Sequence, residues 1–274
     1  MPQEAGAKCP LLTRAMPCVL GVLGIASAYY LWRQFKVTEK RVRIDEMHLY
    51  PVKGARGTSL VSSDPMSLPD CAFSLETGIK LDTWLVTPRG LQYDRHFMAV
   101  CAETSGFLTQ RNCPNLATID TAVTETHLIL SKEGDSVQVP LCAGNNSAPS
   151  NQEVHSKVFR TPVRGLDCGD AVADFLTTHL GQPARLIRHV PDREHDRQTR
   201  FADACALLLA NTASLRAVNR DLSQHNETQV VMGRFRPNIV VDTKKAFDED
   251  RIKHVDFPSL RMKSLFQCAR CIVT

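Results

Sequence analysis

Four short stretches hold residue types suited to binding chemistry. Cys268-Ala269-Arg270-Cys271 sets two thiols around a guanidinium. Such a C-x-x-C pair can be half of a zinc site, a redox dithiol, or one thiolate ligand with a neighbour. Zinc needs four ligands, and no second C-x-x-C occurs. A thioredoxin-type dithiol is expected where a strand meets a helix, and only three residues follow Cys271. A single thiolate for a soft metal remains, with Arg270 favouring its charged form; two inert core cysteines are the alternative. Arg236-Pro237-Asn238 interrupts an apolar run, where Arg and Asn are costly to bury without an acceptor-rich partner, and an arginine fork suits phosphate. Tyr93-Asp94-Arg95 opens another apolar strand, as a ligand contact or a structural ion pair. Pro51-Val52-Lys53-Gly54-Ala55-Arg56-Gly57 can bring backbone and cations to an anion, or be a solvated turn.

The elements that must position these groups are mostly strands. Val42–Val52 alternates as an opening strand, Thr58–Leu81 reads as a long excursion, and Leu91–Val100 with Gly106–Arg111 reads as a hairpin. More β pattern follows at Ala117–Ile129 and Ser136–Leu141. Val154–Val163 is expected as one strand, Asp170–Leu180 as a helix with Val172, Phe175 and Leu176 on one face, and Pro183–Val190 as a strand. A helix over Thr212–Asp221 and a β run over Gln229–Asp242, interrupted by Arg234-Phe235-Arg236-Pro237-Asn238, complete the pattern. Many short strands and few helices predict an α+β, β-rich, barrel-like body.

Composition fits that picture. The 274 residues are 43% apolar and 23% charged, enough for a core and unlike a disordered chain. Net charge is +4, of which residues 1–40 carry +3, so the globular part lacks the basic excess of a nucleic-acid binder. The ten cysteines are scattered, as in a reducing compartment. Met16–Trp32 holds no charge, ends in Tyr29, Tyr30 and Trp32, and is followed by Arg33, Lys36, Lys40, Arg41 and Arg43. Its helical length of about 26 Å and its basic C-terminal flank predict a single-pass anchor with the large C-terminal part in the cytosol.

Taken together, LYPVKGARG, LQYDRHFMAV with FLTQRNCP, GLDCGDAVADFL, RFRPNIVV and CARC resemble the mitochondrial amidoxime reducing component proteins over residues 42–274. The resemblance implies an N-terminal MOSC-type β-barrel domain over 42–153 and a MOSC domain over 154–274, incomplete at its C-terminus, after an anchor over 1–41. It implies a molybdenum cofactor whose metal is bound by Cys271, with Lys53, Gly54, Arg95, Arg236, Asn238, Ala269 and Arg270 around the pterin and its phosphate. Gly54 and Ala269 stand where the family usually has Ser. The implied reaction is two-electron reduction of N-hydroxylated compounds such as amidoximes and hydroxylamines. Its electrons come from NADH through a flavin reductase and a b-type haem cytochrome at the outer mitochondrial membrane. The second expectation is a non-catalytic cofactor-binding or partner-binding module. Cofactor sulfuration is set aside because no Schiff-base lysine domain precedes the MOSC-like part.

Overall fold

Alternating burial along short segments builds a set of small sheets rather than one large one. The structure, a computed structural model, describes residues 42–59, 79–81, 84–87, 89–141, 152–190, 199–257 and 260–270. Before the first helix lie β1 (Arg43–Leu49), β2 (Val52–Lys53), β3 (Thr58–Ser59), β4 (Ile79–Leu81), β5 (Trp84–Thr87), β6 (Gly90–Leu91) and β7 (Phe97–Cys101). These are followed by β8 (Asp120–Val123), β9 (His127–Lys132), β10 (Asp135–Pro140), β11 (Glu153–Val158) and β12 (Thr161–Asp167). The second half adds α1 (Asp170–Leu180), β13 (Ala184–His189), β14 (Leu209–Asn211), α2 (Thr212–Gln224), β15 (Ile239–Asp242), β16 (His254–Phe257) and β17 (Leu260–Lys263).

Two sheets carry the parts that matter most. One runs β11-β12-β13-β7-β2, the other β14-β15-β1-β3. Both draw strands from either side of the expected boundary at 153/154: β7 pairs with β13, and β1 with β15. The protein is β-rich, as expected, but among the described residues each sheet is open and none closes into a barrel. No helix among the described residues is long and apolar enough to cross a membrane. The expected anchor at Met16–Trp32 lies outside the described residues, as does most of the excursion between Thr58 and Leu81.

Buried apolar residues form two clusters on the two faces of β7 and β13, the smaller one holding Met98, Val100, Val158, Ile187 and Phe201. Trp84, Leu91, Phe97 and Leu186 share one buried cluster with Val172, Phe175, Leu176 and Leu180 of α1, whose three- and four-residue spacing gives the helix a single apolar face. Burying each such side chain contributes about 1.5–3 kcal/mol. The helix stops at Gly181, which takes the left-handed conformation (φ 73°) and donates its N–H to Thr177 O.

Several sequence expectations change in ways that bear on function. Tyr93-Asp94-Arg95 is a turn before β7 rather than part of a strand, with Tyr93 (φ 64°) and Arg95 (φ 47°) both left-handed. Gly106–Arg111 is not a strand and meets β7 through a single bridge, Val100 to Phe107. The Gln229–Asp242 run is a strand only from Ile239, so Arg236-Pro237-Asn238 is the approach to β15, after a 3-10 turn over Met232–Phe235. Val154–Val163 is likewise two strands, β11 and β12, joined at Phe159 (φ 54°).

Candidate functional site: a cleft lined by cations

β2 delivers the first cation. Val52 and Lys53 pair in parallel with Phe97 and Met98, which buries the backbone of Lys53 and most of its side chain, 11% exposed. The Lys53 ammonium contacts Asp203 Oδ1 and lies 5.9 Å from the ring centroids of Phe107 and Phe159. The chain then turns at Gly54 with φ 88°, where a Cβ would stand 2.6 Å from Leu116 Cδ2. Glycine at this position therefore meets a steric demand, and a serine side chain would not fit without movement. The Gly54 carbonyl accepts from Gln110 Nε2 at 2.7 Å.

The turn before β7 delivers the second. Asp94 accepts from the Tyr50 N–H at 2.9 Å and from Arg95 Nη1 at 2.5 Å, while the Arg95 N–H donates to Tyr50 O at 2.8 Å. Below the turn, the fully buried Arg200 donates to Leu91 O at 2.9 Å. These bonds hold Arg95 in a backbone region that non-glycine residues seldom adopt. The Arg95 guanidinium carbon lies 4.5 Å from the Tyr50 ring centroid, and that of Arg236 lies at the same distance. Attraction to the ring offsets part of the repulsion between the two cations.

Arg236 is the third. It too is left-handed (φ 54°, ψ 47°), its Nη1 donates to Ala55 O, and its own carbonyl accepts from Arg95 Nη2 at 3.2 Å. Its Nη2 is buried with no hydrogen-bond partner. Burial, followed by the charge of Arg95, pulls its pKa down to about 10, against the opposing attraction of Tyr50, Asp94 and Asp203. Arg270 donates to Phe235 O at 2.9 Å and to Cys268 Sγ at 3.5 Å.

Lys53, Gly54, Arg95, Arg236, Asn238 and Arg270 line one cavity of about 760 Å³. Ala269 is exposed and is not part of that lining. Asn238 is buried, and its amide bonds the scaffold: Oδ1 accepts from the Leu208 N–H at 3.1 Å and Nδ2 donates to His48 O at 3.3 Å. It ties β1 to the segment entering β14. Cys271 lies outside the described residues. Among the described residues, no three His, Cys, Asp or Glu side chains are grouped to hold a metal. Sequence reasoning did not single out Gln110 and Asp203, which line the cleft, or Tyr50, whose ring lies against Arg95 and Arg236.

Residues 75–183 match the MOSC N-terminal beta barrel domain and residues 196–274 match the MOSC domain. The chain carries both MOSC domains. Both matches begin later in the chain than the domain starts expected at 42 and 154. The molybdenum cofactor sulfurase of Drosophila ananassae is 33% identical over 244 residues, 87% of this chain and 28% of that protein. That of Drosophila persimilis is 35% identical over 245 residues, 84% of this chain and 28% of that protein. The chain thus spans 28% of the length of these relatives. A solution structure of a Bordetella bronchiseptica protein is 20% identical, with a TM-score of 0.33 over 39% of this chain and 78% of that one. These relatives support a MOSC, molybdenum-cofactor-related protein, but they are sulfurases rather than amidoxime reducing components.

Proposed function

We propose that the cleft holds the phosphate-bearing pterin of the molybdenum cofactor and that the chain uses it to reduce N-hydroxylated compounds. One observation carries the binding half of this reading. Arg236 lines a cavity that Arg95, Lys53 and Arg270 share, and its buried Nη2 has no hydrogen-bond partner. A buried donor left unpaired costs about 1–3 kcal/mol, and a phosphate oxygen is the acceptor that suits a guanidinium. The described residues therefore fit the anionic end of the group.

In this reading Arg236 and Arg95 bind the phosphate, Tyr50 keeps the two guanidinium groups together, and Lys53 adds charge. Apolar residues on the lining, such as Phe107 and Leu108, keep water from the bound group. Cys271 is the protein ligand to the metal. The cofactor, when bound, supplies the two-electron redox chemistry, and the protein supplies binding and orientation. A b-type cytochrome with its flavin-dependent NADH reductase is the proposed donor, and the Met16–Trp32 run is the proposed outer-mitochondrial-membrane anchor that raises their local concentration.

Cys271→Ala is expected to abolish molybdenum-dependent reduction of benzamidoxime by the purified protein, and unchanged activity would contradict the ligand assignment. The sulfurase relatives favour a second reading, in which the chain binds the cofactor without reducing N-hydroxylated compounds. Cofactor-loaded protein that binds molybdenum but leaves the amidoxime intact under chemical reduction selects that reading.

A further inference from the structure

Asp94 and Asp203 contact cations of the cleft, Arg95 and Lys53, and the two carboxylates are held differently. Asp94 is locked: its side chain is 2% exposed, and it accepts from both the Tyr50 N–H and Arg95. Asp203 is 61% exposed, yet its Oδ1 contacts the Lys53 ammonium, whose side chain is 11% exposed. Asp203 sits in residues 202–208, a segment without helix or strand. That segment is fastened at both ends. Phe201 N–H donates to Arg95 O at 3.1 Å, and the Leu208 N–H donates to Asn238 Oδ1 at 3.1 Å. Between these points the Asp203 side chain has solvent to rotate into.

A mostly buried ammonium needs a counter-ion when no ligand is bound. A phosphate arriving at the same ammonium would face a carboxylate of like charge at close range. We propose that Asp203 is a displaceable counter-ion, which neutralises Lys53 until a phosphate group takes its place. This rests on the reading of the cleft as a phosphate site, and it makes Asp203 a positioning residue that sets the threshold for anion binding. Asp94, by contrast, stays in place and orients Arg95.

Inorganic phosphate titrated calorimetrically at low salt into the full chain produced without the cofactor provides the test. Asp203→Asn is expected to bind phosphate about tenfold more tightly than the natural chain, since one nearby like charge is removed. Asp203→Ala must show the same gain, and Asp203→Glu must return to the natural affinity. Added salt should shrink the difference by screening. Equal or weaker binding by both Asp203→Asn and Asp203→Ala, with phosphate still bound by the natural chain, overturns the counter-ion role and leaves the phosphate site standing. Phosphate binding by none of the proteins overturns both.

Discussion

Arg236 combines a left-handed backbone, an enclosed guanidinium and an unpaired Nη2. Its pKa falls from the ordinary arginine range to about 10, chiefly through burial. For a base the sign is clear: the folded protein holds this proton more weakly than the unfolded chain, so charged Arg236 costs stability below about pH 10, and the cost is relieved as pH rises through that value. An anion bound at Nη2 works the other way. The rise in melting temperature produced by phosphate is therefore expected to hold near neutral pH and to fade as pH passes about 10; a rise that persists undiminished beyond that point would count against Arg236 as the anion's partner. The thiols give a second residue-level test. Burial pushes Cys168 up to about 12, and Cys113 is also buried, whereas Cys268 is exposed. Iodoacetamide mapping should label Cys268 well before Cys113 or Cys168, and early labelling of Cys168 would refute its burial. Arg95 and Arg236 were legible because charge beside an apolar strand is conspicuous, whereas Lys53 and Arg270 were placed at the site by the family resemblance. Asp203 and Tyr50 were not, because an exposed acid and a buried tyrosine have ordinary structural readings.

Elements place these side chains through turns more than through strands. The sequence pattern found α1 within its observed limits, since its apolar spacing and terminal Gly181 are strong signals. It misread the approach to β7 and saw only the break before β15, because Tyr93, Arg95 and Arg236 take left-handed conformations without being Gly or Asn. Gly54 is where turn geometry meets the site. Gly54→Ser, the residue expected from the family resemblance, should cost about 2 kcal/mol through strain and contact with Leu116. Thermal denaturation would read this as a fall of about 4–8 °C, and an unchanged midpoint would show that the turn relaxes freely. Asn211 is the comparable point on α2. Its Oδ1 accepts from the Ala213 N–H at 3.0 Å, and its Nδ2 bonds Thr243, Lys245 O and Glu249. Asn211→Ala should destabilise by about 2–3 kcal/mol, since it removes a helix cap and leaves buried partners unpaired; a loss of only a few tenths in chemical denaturation would deny that role.

Across the whole molecule, the cleft depends on sheets that join early and late parts of the chain. Lys53 and Arg95 come from β2 and the turn before β7, while Arg236 and Arg270 come from the approach to β15 and the segment after β17. The β-rich class was readable from short alternating segments, but the pairing of β7 with β13 and of β1 with β15 was not, because strand pairing over such separations leaves no local signal. The central claim is that this assembled cation set holds the cofactor by its phosphate. Molybdenum content of the purified natural chain and of Arg236→Met, measured by mass spectrometry alongside melting temperature, tests it most directly. The account predicts about one molybdenum per natural chain and about a tenth of that or less in the variant, which still melts in one cooperative transition, as expected for losing a charged hydrogen bond to phosphate. Equal molybdenum in the two proteins would contradict it.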